Sequence, residues 1–160
     1  MAGTARVIIG EREWLASVAL LPWELTAGLG GLENLETGNG MLFDLGMTRA
    51  VQVTTEPMLF PIDIAFLNDE LMITEVYRNT DPGFLISSGN PVRYFLEVNG
   101  GELNDVEPGN IACVEYLDTE GVSILTSAEI SQVISIASLI MTGGLVAGLA
   151  KNFTSGVSGD

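Results

Sequence analysis

Up to about residue 120 the chain is a succession of short apolar runs, each closed off by Gly, Asn, Asp or Pro. Runs punctuated in this way read as strands, and they leave no room for long helices. The clearest unit is a hairpin in which "FPIDIAFL" and "LMITEVY" meet across Asn68 and Asp69, residues that tolerate tight-turn dihedrals. Alternation points Phe60, Ile62, Ile64 and Phe66 to one face, and Val92, Tyr94, Leu96 and Val98 to one face of a later strand. "ARVII", "WLASVAL", "GMLFDLG", "RAVQVTT", "PVRYFLEV" and "NIACVEYL" supply further strands. Pro22 opens a short helix, "PWELTAGLG", which Gly28 or Gly30 ends, and "GGELNDVEPG" reads as a turn containing one helical turn. The expected fold is mainly β. Residues 1–120 form a small barrel-like or sandwich β domain with one short helix, and residues 121–160 form a long C-terminal apolar α-helix and a short tail.

That helix is predicted from "VISIASLIMTGGLVAGLAK" at residues 133–151, which carries no charge before Lys151. "TSAE" at residues 126–129 is a capping box for its start. About 24 residues at about 1.5 Å each would span about 36 Å, enough for a bilayer core of about 30 Å. Ser131, Ser135, Ser138 and Thr142 share one stripe, and Gly144 and Gly148 form a small-x-x-x-small pair. A solvent-facing helix would not be apolar all round and would not carry glycines that cost about 1 kcal/mol each. Enclosure by lipid or by other subunits is therefore expected, with self-association ahead of a membrane span through residues 133–150.

Composition excludes several functions. The net charge is −15, from 21 acidic and six scattered basic residues, so no surface suits nucleic acid. With no histidine and only Cys113, the chain has no internal disulfide, no Cys/His zinc site and neither a Ser-His-Asp triad nor a Cys-His dyad. Cys113, in "NIACVEYL", reads as a small core residue. The acid clusters lack the ligand alternation of a calcium loop, and "GLGGLE" lacks phosphate-loop spacing. No metal and no cofactor are expected. The amino terminus, broken early by Glu11 and Arg12, does not read as a cleaved signal peptide.

The segments "NGMLFDLG", "FPIDIAFLNDEL", "PVRYFLEVNGGEL" and "VEPGN" stand in an order and spacing that resemble the DUF192 (UPF0127) family, over about residues 14–116. The resemblance implies a compact, barrel-like β domain and assigns no activity. Where many members carry an aromatic-Trp-Met-Lys-Asn-Thr stretch, this chain has "VTTEPM" at residues 53–58, and its last turn ends in Asn110 where the family pattern has an aspartate.

Asp63 is the carboxylate to inspect first, because a half-buried acid between Ile62 and Ile64 needs a partner. Arg93, Arg78 or Arg49 could supply it, or backbone N–H groups could, tying strands together. Thr54, Thr55, Asp63 and Arg93 are the candidate ligand-binding residues. Ser131, Ser135, Ser138, Thr142, Gly144 and Gly148 are the candidates for helix packing. The expected function is a non-catalytic structural or assembly protein that associates with itself and with other assembly proteins, most concretely in the virion of a phage or archaeal virus. The alternative is a membrane-anchored binding protein of a prokaryotic cell; an enzyme using Asp63 ranks third.

Overall fold

A computed structural model describes residues 3–117 and 123–126. The chain divides after Ile124, and the sheet's two cores lie in the first unit. β1 (Gly3–Ile9) and β2 (Arg12–Ala19) form an antiparallel hairpin. Its two-residue loop begins with Gly10 at φ +60°, the left-handed start that lets a tight turn follow the strand twist. α1 (Pro22–Ala27) opens on its proline and stops at Gly28 (φ +51°). Glu24 reaches back to accept the N–H groups of Leu20 and Leu21, which lowers its pKa.

β3 (Asn39–Arg49) then runs parallel to β2, which is possible because the segment containing α1 carries the chain back across the sheet. β4 (Gln52–Thr54) leaves the sheet. β5 (Ile62–Leu67) and β6 (Ile73–Thr80) make the expected hairpin, with Asn68 Oδ1 accepting from the N–H groups of Glu70 and Met72. β7 (Leu85–Ser87) pairs with β4 in a separate two-stranded ribbon, and no strand was expected at that position. β8 (Val92–Asn99), β9 (Ala112–Leu117) and β10 (Ser123–Thr126) complete the described strands. The main sheet is open and runs β10-β9-β1-β2-β3-β8-β5-β6. The start of β6 is tied to the chain entering β9 by a Met72–Ile111 bridge and by hydrogen bonds from Ala112 to Leu71 and from Ile73 to Asn110.

The sheet has a core on each face. One gathers Val7, Trp14, Val18, Leu42, Ala65, Leu67, Leu96 and Val98. The other gathers Phe43, Ile62, Ile64, Phe66, Val92 and Phe95, and is covered by Leu25 and Leu29 and by Val53 and Ile86 of the ribbon. β5 is therefore buried along its whole length, which explains why its sequence is nearly continuous in apolar residues.

Three expectations change. Val92 faces the second core rather than joining Tyr94, Leu96 and Val98, because the β3–β8 register slips between Asp44 and Arg49. Cys113 is exposed, since the inward positions of β9 are Ala112 and Val114. Residues 99–110 contain a chain of i→i+3 turns and no helical turn. Among the described residues no helix is long and apolar enough to cross a membrane. The predicted C-terminal helix, with Ser131, Ser135, Ser138, Thr142, Gly144 and Gly148, lies outside the described residues.

Gly40 lets β3 approach β8. A Cβ there would lie 2.7 Å from the Glu97 carbonyl oxygen and 3.0 Å from Val98 Cγ1. Gly40→Ala is expected to cost about 1–3 kcal/mol through overpacking, read as a lower urea midpoint. Gly3→Ala, with open space around it, serves as the neutral control; equal midpoints for the two variants would show that the close approach carries no cost.

Candidate functional site

The site grows from the alternation of β8. Phe95 and Glu97 point to the second core, while Leu96 and Val98 point to the first. On the strand to one side, Phe43 is paired with Phe95 and Met41 with Glu97; on the other, Phe66 faces Phe95 and Ile64 faces Glu97. The paired phenylalanines stack, with ring centroids 4.1 Å apart and planes 9° off parallel. Phe66 leans on Phe95 at 5.9 Å.

A pocket of about 270 Å³ opens above this floor. Its walls come from α1 and residues 28–30, from β4, and from Pro57 and Met58. Gly31 N–H donates to the Pro57 carbonyl, so the loop after α1 is fastened to the chain after β4. Gly28 stands over the floor: a Cβ there would meet Phe43 Cζ at 3.4 Å and Glu97 Oε2 at 3.7 Å, and would narrow the pocket.

Glu97 lines this pocket and is only 4% exposed. Its Oε2 is the only buried side-chain N or O atom among the described residues without a hydrogen-bond partner. Burial pushes its carboxyl up to about 8, offset in part by a hydrogen bond from the Leu29 backbone. An unpaired carboxylate costs too much in such surroundings, so the group takes up a proton. At neutral pH the pocket thus holds a carboxylic acid with an uncommitted oxygen among largely apolar walls.

The residues chosen from the sequence do not converge here. Thr54 lines the pocket. Thr55 is buried, but its hydroxyl donates to the Asp81 carbonyl at 2.7 Å and accepts from Phe84 N–H at 2.9 Å, latching the ribbon. Asp63 is fully buried on the side of the first core, and no arginine reaches it among the described ion pairs. Its Oδ1 accepts from Asn79 N–H at 2.7 Å and Gly101 N–H at 3.0 Å, and its Oδ2 from Leu103 N–H at 2.8 Å. The strand-tying role therefore holds through backbone donors. Two backbone features prepare the cradle, namely Asn79 at φ +47° and Gly101 at φ +88°.

Arg93 instead grips Asp44 with two nitrogens, at 2.8 and 3.2 Å, and donates to the Gly46 carbonyl; the Asp44 bond raises its pKa. Arg78 serves the Leu103 and Val106 carbonyls and Glu107. Arg49 lines a neighbouring recess of about 250 Å³ that shares Leu25, Gln52 and Phe95 with the first pocket. Glu97 was missed because "YFLEV" reads as an ordinary strand with an outward acid. The available signal was Phe95 two residues away, a large apolar residue on the face opposite Tyr94, Leu96 and Val98.

The DUF192 family model, described as "Uncharacterized ACR", matches residues 6–111, and the chain belongs to that family. A crystal structure from Sinorhizobium meliloti 1021, described as a "putative transcription regulator", is similar at 27% identity with a TM-score of 0.65; the match covers 76% of this chain and 96% of that one. A second, from Novosphingobium aromaticivorans DSM 12444 and described as a protein of unknown function, is similar in fold at 21% identity and a TM-score of 0.63, covering 68% and 82%. No curated protein matches the chain.

Asp63→Asn replaces one acceptor with a donor and leaves at least one buried N–H unpaired. A loss of about 2–4 kcal/mol is expected, and an unchanged melting temperature would remove the tying role. Glu97 works in the opposite sense. Its folded pKa, about 8, lies above the ordinary glutamate value of 4.5, so the folded state binds the extra proton and the stability cost grows as pH rises through that window. Glu97→Gln should match the wild type near about pH 4 and be more stable by roughly 2–4 kcal/mol near about pH 8. Parallel stability–pH curves for the two proteins would contradict the burial assigned to this carboxyl.

Proposed function

We propose that the protein is a non-catalytic binding module whose β domain captures a small, largely apolar molecule in the Glu97 pocket. The observation that carries this reading is the unpartnered Glu97 oxygen in a pocket walled mainly by Leu25, Leu29, Phe43, Val53, Met58 and Phe95. A buried polar atom left unsatisfied costs on the order of 1–3 kcal/mol, and a ligand that meets it recovers that cost. Catalysis would need a second positioned acid, base or nucleophile, and among the described residues Glu97 is the only titratable one lining the pocket. Among the described residues no cluster of His, Cys, Asp or Glu is arranged to hold a metal. A net charge of −15 opposes contact with DNA phosphate.

The apolar segment at residues 133–151 supports a second element of the proposal: it fixes the module to copies of itself, in a virion or another large assembly, with membrane anchorage as the alternative. Light scattering on the full chain without detergent tests it. Gly144→Leu or Gly148→Leu should abolish a defined oligomer while the β domain stays folded, and normal assembly of both variants would end the close-packing idea.

The pocket is tested by ligand-observed NMR against a fragment library. Thr54→Trp places a large ring at an exposed wall position and should remove most pocket hits without lowering the melting temperature. A library that sees no difference between the two proteins would overturn the binding reading.

A further inference from the structure

We infer that the ligand of the Glu97 pocket is an organic cation, a protonated amine on a compact apolar body, whose N–H group pairs with Glu97 Oε2. The inference rests on the binding reading above and adds the chemical class.

Four observations carry it. First, Oε2 is buried without a partner in the floor of the pocket, where a carboxylate accepts and an ammonium donates. Second, among the described residues no basic side chain lines the pocket to compete for the carboxylate or welcome an anion. Third, the stacked rings of Phe43 and Phe95 both line it, and aromatic faces attract a cation as well as an apolar body. Fourth, the chain's net charge of −15 raises the local concentration of cations around any opening.

The charged groups around Glu97 leave it as the group that responds. β3 presents Met41 and Phe43, and β5 presents Ile64 and Phe66, none of them titratable. On α1, Glu24 is bound to the Leu20 and Leu21 N–H groups. Glu33, Glu36 and Glu56 are exposed. Asp44 is held by Arg93, and Arg49 belongs to the adjoining recess. Amine binding therefore converts a neutral acid into a carboxylate and expels its proton. A neutral acceptor would instead need the acid form.

Calorimetry with hexylamine and hexanol, two probes of equal length, tests this between about pH 6 and about pH 9, a range in which the amine stays charged. Hexylammonium affinity is expected to rise about tenfold per pH unit up to about pH 8. Below that, near one proton should be released per amine bound, read from buffers of different ionisation enthalpy. Both Glu97→Gln and Thr54→Trp should abolish this binding, and the Gln variant remains a fair test because it is expected to be at least as stable as the wild type. If amine binding is flat with pH and survives Glu97→Gln, yet hexanol and amine are both lost in Thr54→Trp, the cation class is wrong and the pocket reading stands. Binding of both probes that ignores Thr54→Trp overturns the two together.

Discussion

β5 has a core on each side, and the rest of the domain is arranged around that constraint. A strand buried on both faces must sit inside the sheet, so β8 and β6 flank it. It also needs two separate covers. The first is the far half of the same sheet, which brings Val7, Trp14 and Val18 into the core that contains Ala65 and Leu67. The second is assembled from the segment around α1 and from the β4–β7 ribbon, which together shield Ile62, Ile64 and Phe66. Full burial of one such side chain contributes roughly 1.5–3 kcal/mol, so a domain of this size depends heavily on both covers being in place.

Two carboxylates on neighbouring strands show how burial alone does not set a role. Asp63, on β5, is surrounded by backbone N–H groups from the end of β6 and from residues 101 and 103, and its two oxygens accept three hydrogen bonds. Glu97, on β8, is buried on the opposite side and has one oxygen with no partner. The first completes a structure and has nothing left to offer a ligand. The second leaves an interaction unmade, and in a pocket floored by two stacked rings that is the feature most available for binding.

The sequence reading located most strands because punctuation by Gly, Asn, Asp and Pro acts locally. The β5–β6 hairpin is the best case: Asn68 closes it through its own side chain, a contact that depends on only a few residues. Asp63 was legible as a carboxylate in need of partners, while their identity was not, since Asn79, Gly101 and Leu103 are 16, 38 and 40 residues away. The partners of Thr55 and Arg93 were not legible for the same reason. Hydroxyls and guanidinium groups are satisfied by whatever the fold brings near, here Asp81 and Phe84 for the one and Asp44 and Gly46 for the other. Cys113 was misread because a short run of apolar residues does not reveal which of its two faces is inward.

By itself, then, the sequence determined the β character, the turn positions, the resemblance to DUF192 and the absence of histidine-based chemistry, all of which follow from residue types and local spacing. Tertiary structure decided that β5 and β8 have no solvent face along their centres, and with that it decided the state of Glu97. An acid at an alternating position is a solvated charge when one side of the sheet is wet. It becomes a neutral group with one oxygen unpartnered once α1 and the β4–β7 ribbon close over that side. The physical reason is that burial is a property of the second layer, and that layer is contributed by residues far away in the chain.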